Sequence, residues 1–176
     1  MNTLITILLI VAGIITLLLI LALVMKREHY VKREIIINAP RQKVFDYVKL
    51  LKNQDEFNEG AMADPDRKRE FRGTDGTVGF VYAWNGNKDA GEGEKEIRSI
   101  VEGKAIEMEI RFVKPMTASA RVIMETESLS ADQTKVYWSN AGTLNYPLNI
   151  LIPMVEKSVA KGMDSSLSVL KGILEK

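Results

Sequence analysis

The spacing of apolar residues changes several times along this chain, and each change marks an element. Leu4 to Met25, "LITILLIVAGIITLLLILALVM", carries no charge and is interrupted only by Thr6, Gly13 and Thr16. From Tyr30 to Ile37 the period becomes two, with Val31, Ile35 and Ile37 on one face, which predicts a strand. Asn38-Ala39-Pro40 stops that strand, and Pro40 suits the first turn of a helix. Val44, Phe45, Val48 and Leu51 then follow helical spacing. A second short helix or loop is expected over 52–62.

From Arg67 onward the pattern is strand and turn. "RKREFR" leads into the turn signal "GTDG", and "TVGFVYAWNG" places Val78, Phe80, Tyr82 and Trp84 on one expected face. "GEGEKEIRSI" and "AIEMEIRF" are separated by Glu102-Gly103. In the latter, Ile106, Met108, Ile110 and Phe112 oppose Glu107, Glu109 and Arg111, as in a half-buried antiparallel strand. "TASARVIMET" and "TKVYWSNAGTL" follow, broken by "SLSADQ". The C-terminal segment returns to helical period. Ile152, Val155, Val159, Met163, Leu167, Leu170 and Leu174 form a stripe that needs a sheet to cover. Pro147 and Pro153 sit near its start, where proline is tolerated.

The first apolar run spans roughly 33 Å as a helix at about 1.5 Å per residue. That matches a hydrocarbon core about 30 Å thick. A cleaved signal peptide would bring a basic n-region, an apolar core of about 7–15 residues and a small-x-small cleavage site; none of these is present. Lys26, Arg27, Lys32 and Arg33 follow the run, and only the α-amino group precedes it. The positive-inside rule then puts the C-terminal domain in the cytoplasm. The expected organisation is a tail at 1–3, a transmembrane helix at 4–25, a basic linker at 26–29 and a globular domain at 30–176. The expected location is the bacterial inner membrane, crossed once.

The 176 residues carry a formal net charge of +1 and no cysteine. Disulfide and thiol chemistry are therefore excluded, and the concentrated basic face of a nucleic-acid binder is not in evidence. The single histidine, His29, falls outside the expected domain and has no metal-ligand spacing around it. There is no Ser-x-Gly elbow and no HExxH motif. No cofactor is expected. The glycines of "GTDGTVG" precede a strand rather than a helix, so they make a turn and not a phosphate cradle. "WNGN" is expected to be a hairpin turn centred on Asn85-Gly86. Glu92, Glu94 and Glu96 share one face. They would suit acid–base work in a dry pocket, but three like charges are costly to bury, so an outer face is expected.

The resulting order, β-α-α-β6-α, is the helix-grip arrangement: an α+β fold with a curved antiparallel sheet around a long C-terminal helix. Over about residues 30–176 the chain resembles the SRPBCC or START-like superfamily, and within it the polyketide cyclase/dehydrase-type proteins. The stretches that carry the resemblance are "IIINAPRQKVFDYV", "ADPDRKREFRGTDGTVGFVYAWNGN", "GEGEKEI", "TKVYWSNAG" and the closing helix. The N-terminal helix lies outside that pattern. The resemblance implies a cavity between sheet and C-terminal helix that holds a lipid, polyketide or similar apolar molecule.

The inward strand and helix faces name the expected lining: Phe80, Tyr82, Trp84, Met108, Ile110, Phe112, Val136, Trp138, Asn140 and Met163. Arg121 and Tyr137 are expected to point outward. The first functional expectation is a membrane-tethered module that binds a small apolar molecule or lipid. A cyclase- or dehydratase-like enzyme rests on the resemblance alone, with no catalytic residue identified. A partner-docking protein associated with stress or chaperone function is the third.

Overall fold

The computed structural model describes residues 2–176. Helix α1 (Thr3–Val24) leads into strand β1 (Glu28–Ile37), helix α2 (Arg41–Lys49), a 3-10 turn (Asn53–Glu56) and the single-turn helix α3 (Glu59–Met62). Strands β2 (Lys68–Arg72), β3 (Val81–Asn85), β4 (Glu92–Val101), β5 (Ala105–Lys114), β6 (Ala118–Ser130) and β7 (Gln133–Thr143) follow. A second 3-10 turn (Leu148–Leu151) opens helix α4 (Ile152–Leu174). The strands form one antiparallel sheet in the order β1-β7-β6-β5-β4-β3-β2. The sheet is not closed: β1 and β2, consecutive in sequence, lie at opposite edges, and α2 and α3 make the connection. This is the expected α+β helix-grip fold.

The sheet is packed at one end and open at the other. Ile97 on β4 faces Met108 on β5, Met108 faces Val122 on β6, and Met124 faces Trp138 on β7. Val44, Phe45, Val48 and Leu51 close this end from the α2 side and are fully buried. Burying each such side chain contributes about 1.5–3 kcal/mol. α4 covers the rest with Met163, Leu167, Leu170 and Leu174.

Both sheet edges are protected. At the end of β1, side chains from the end of α4 occupy backbone groups: Lys171 donates to the carbonyl of Ile36 at 2.8 Å, and Glu175, just past α4, accepts from the amide of Asn38, just past β1, at 2.6 Å. At the other edge, all five residues of β2 are exposed, and four of them are Lys, Arg or Glu.

α1 is long and apolar enough to cross a membrane, and nearly all of its side chains are exposed. Its C-terminal end is held by the globular domain. The fully buried Asn149 donates from Nδ2 to the carbonyls of Ala22 at 2.7 Å and Met25 at 3.1 Å.

Three local expectations change. β1 begins at Glu28, so His29 belongs to the sheet rather than to a linker. β3 begins only at Val81, because Gly73, Gly76 and Gly79 all take positive φ and the turn runs through Gly79. Val78 is consequently exposed while Phe80 is buried, so the two do not share a face. The β3–β4 connection is a six-residue loop, 86–91, rather than a tight turn at Asn85-Gly86. Asn87 organises it, its Oδ1 accepting from the amides of Asp89 at 2.8 Å and Ala90 at 3.0 Å.

Candidate functional site: a cavity between sheet and C-terminal helix

Beyond the packed end, the sheet and the first half of α4 diverge around a cavity of about 500 Å³. This lies within the range of about 300–1,000 Å³ typical of small-molecule sites. α3 and the β3–β4 loop form its remaining walls. α3 is tied to α4 through Ser166, whose Oγ accepts from the amide of Glu59 at 2.9 Å and donates to the carbonyl of Gly162 at 2.6 Å.

Seven of the residues expected to face inward line this cavity: Tyr82, Trp84, Ile110, Phe112, Trp138, Asn140 and Met163. Phe80, Met108 and Val136 do not; they are fully buried in the packed end. The reason is depth along the strand. Met108 and Ile110 share a face of β5, and Val136 and Trp138 share a face of β7, but the earlier residue of each pair lies in the packed end and the later one borders the cavity. Arg121 and Tyr137 point outward and bond to Glu107 and Glu127.

The aromatic wall depends on a glycine. Trp84 lies across β4 at Gly93, where an added Cβ would stand 2.9 Å from the indole Cη2 and 2.6 Å from the carbonyl of Arg111. The indole packs edge-on against Phe112, with ring centroids 6.0 Å apart, and donates from Nε1 to the carbonyl of Ala90 at 3.0 Å. Trp138 meets Phe57 edge-on at 6.2 Å, and its buried Nε1 has no partner. Trp84 and Trp138 are the two tryptophans of the chain, so its indole fluorescence comes entirely from this wall.

The polar part of the site was not anticipated. Arg67 is buried and donates to Tyr82 Oη at 2.7 Å, to Asp55 Oδ1 at 2.6 Å, to the carbonyl of Asp64 at 3.0 Å and to the carbonyl of Ala61. Tyr82 in turn donates to Asp55 at 2.8 Å, and Arg69 lies 3.1 Å from the same carboxylate. Burial, reinforced by Asp55, pushes the Tyr82 phenol up to about 12, so it stays protonated at neutral pH. Lys95, on β4 opposite Tyr82 and Ile110, is the second buried cation. Burial is the main cause that pulls its amine down to about 8. Alternation along "GEGEKE" contained the signal: if the three glutamates point out, Lys95 points in.

Those glutamates do point out. Glu94 and Glu96 each lie 2.8 Å from Arg111, and Glu92 lies 2.7 Å from Lys114, all on the far side of the sheet. The hydrogen bond from Arg111 is the chief cause that holds the Glu94 carboxyl below its usual range. They are therefore not placed for acid–base work in the cavity. At the cavity's edge, His29 Nε2 and Asn140 Oδ1 are 2.9 Å apart. The ring fits because residue 142 is glycine: an added Cβ there would stand 2.5 Å from His29 Cε1. Among the described residues there is no cluster of side chains suited to hold a metal.

No protein-family model and no curated protein sequence matches this chain. Solved structures do match in three dimensions. Truncated norcoclaurine synthase from Thalictrum flavum superposes with a TM-score of 0.65 at 12% identity, covering 87% of this chain and 98% of that one. Ara h 8.0201 gives 0.61 at 16% identity, covering 84% and 97%. Protein CV1439 from Chromobacterium violaceum gives 0.61 at 13% identity, covering 84% and 97%. At these identities the likeness is one of fold: the chain carries a helix-grip domain behind an N-terminal apolar helix.

Proposed function

We propose that this protein is a membrane-tethered binding module whose cavity holds a small, largely apolar molecule. The observation that carries this reading is the cavity itself: about 500 Å³, walled by Trp84, Ile110, Phe112, Trp138 and Met163. α1 is the tether, crossing a bacterial inner membrane once. The basic residues after it favour a cytoplasmic domain, and the grip of Asn149 on Ala22 and Met25 supports a helix that remains part of the mature protein. A topology reporter fused after Lys176 is expected to read cytoplasmic.

The test of binding uses the full chain purified in dodecyl maltoside. Solvent extraction followed by mass spectrometry should yield an apolar compound at about one per chain, or octanol should change the tryptophan emission saturably. If neither occurs, the cavity is not a binding site.

A further inference from the structure

The cavity walls are largely apolar, yet its inner end carries a buried cation that, among the described residues, makes no ion pair. Lys95 sits where the packed end of the sheet gives way to the cavity: its strand neighbour Ile97 is core, and its cross-strand neighbour Ile110 is cavity wall. The residue is only 7% exposed. An ammonium has three donors. One reaches Gln54 Oε1 at 3.1 Å, and the amine lies 5.1 Å from the centre of the Tyr82 ring. Among the described residues no carboxylate lies within ion-pair distance of it. Asp55, the acidic group of this cluster, is engaged by Arg67, Arg69 and Tyr82. Asp75 accepts from the amides of Leu51, Lys52 and Gly76. The two terminal nitrogens of Arg67 are taken up by its own four acceptors. Two buried cations, Arg67 and Lys95, thus share the inner end with Asp55 and Asp75, whose oxygens are already engaged by other donors. Buried charges are ordinarily paired, because an unpaired one is costly.

We propose that Lys95 is the head-group subsite of the cavity, and that the ligand is an organic anion, a carboxylate carrying an apolar tail. This rests on the cavity being a binding site. The carboxylate accepts the two free donors of Lys95, and the tail lies along Trp84, Phe112 and Trp138 toward α4. The other charged lining residues, Glu59, Asp89 and Lys161, are half-buried or exposed and lie at the rim. A cationic head would meet Lys95 and Arg67 at the inner end; a neutral head would leave the charge uncompensated.

The full chain in dodecyl maltoside is titrated with sodium octanoate and with octanol, and the emission of Trp84 and Trp138 is followed. Octanoate is expected to bind at least about tenfold more tightly than octanol, because its carboxylate accepts charge-assisted hydrogen bonds from Lys95 that exceed what a hydroxyl makes. Lys95→Met should erase that preference while octanol binding persists, and Lys95→Arg should keep it. Lys95→Gln replaces Lys95→Met if the latter fails to give a cooperative melt. Equal affinity of the wild type for both ligands overturns the subsite and leaves the cavity standing, as does a preference that survives Lys95→Met. Absence of any saturable response to either ligand overturns the cavity reading and the subsite together.

Discussion

The side-chain amide of Asn149 donates to the carbonyl of Ala22 across a gap of 2.7 Å, joining the last turn of α1 to the turn that opens α4. The carbonyls at a helix C-terminus have no intrahelical donors, so a side chain that reaches them fixes the helix end. Only residues 25–27 separate α1 from β1. The helix and the domain are thus held by a buried contact as well as by the chain.

Replacing Asn149 by Leu removes that contact. The expected cost is about 1–3 kcal/mol, confined to the junction. Trypsin cleavage after Lys26 or Arg27 should accelerate by about tenfold, the factor that 1.4 kcal/mol of local opening provides. The melting temperature of the globular domain should barely move. Unchanged cleavage would show that the junction is held by other contacts.

Trp138 separates core from cavity. Deleting a large aromatic from a solid core costs about 3–5 kcal/mol. Trp138→Ala should fall below that range, because one side of the ring already borders open volume. Trp138→Phe keeps an edge-on contact with Phe57 and should leave the melting temperature nearly fixed while changing ligand affinity. Loss of stability with unchanged binding per folded molecule would return Trp138 to the core.

Stability should depend on Lys95 at alkaline pH. Its amine titrates near 8 in the folded protein and near its ordinary value of 10.5 when unfolded. Between those values the unfolded chain binds the extra proton, so stability rises with pH across that window. Burial and Arg67 drive the depression, and Asp55 and Asp75 oppose it. Urea denaturation of wild type and Lys95→Met at pH 7.5, 9 and 10 isolates the effect. The variant should be the more stable of the two at pH 7.5, and its advantage should shrink toward pH 10. A constant difference would mean that the amine is not held as described.

Glu94 and Glu96 test the outer face. Changing each to Gln weakens pairs with Arg111 that remain partly exposed, and the expected cost is under about 1 kcal/mol each. Octanoate and octanol titrations should be unaltered. A binding defect without a stability defect would bring these carboxylates back into consideration for the site.

The fold was legible because alternation assigns faces. Ile106 through Phe112 and Val136 through Asn140 were placed inward from period two alone, and the long stripe of α4 implied the sheet that it covers. Depth was not legible. Period two states which side a residue takes, and only the divergence of α4 from the sheet separates Met108 from Ile110. The buried cations were missed for another reason. In "GEGEKE" the glutamates define one face, and the opposite face, which holds Lys95, follows from the same alternation. Arg67 could not be found this way, because it precedes β2 and its partners Asp55, Tyr82 and Ala61 converge only through tertiary contacts. Val78 was placed on the wrong face because three positive-φ glycines carry the turn past it.

The protected sheet edges matter more for a tethered protein than for a free one. Under the proposed tether, copies held in one membrane by α1 would share a plane and a common up and down, so their exposed strands would be half-aligned for pairing. Diffusion in two dimensions then makes every collision nearly the right one for sheet extension, and an unprotected strand edge is a template for that. In this chain Lys171 takes the Ile36 carbonyl of β1, Glu175 takes the Asn38 amide just past its end, and β2 offers a short run dominated by charge. On the proposed tether, these edge features would oppose strand-to-strand joining when the domains are crowded together.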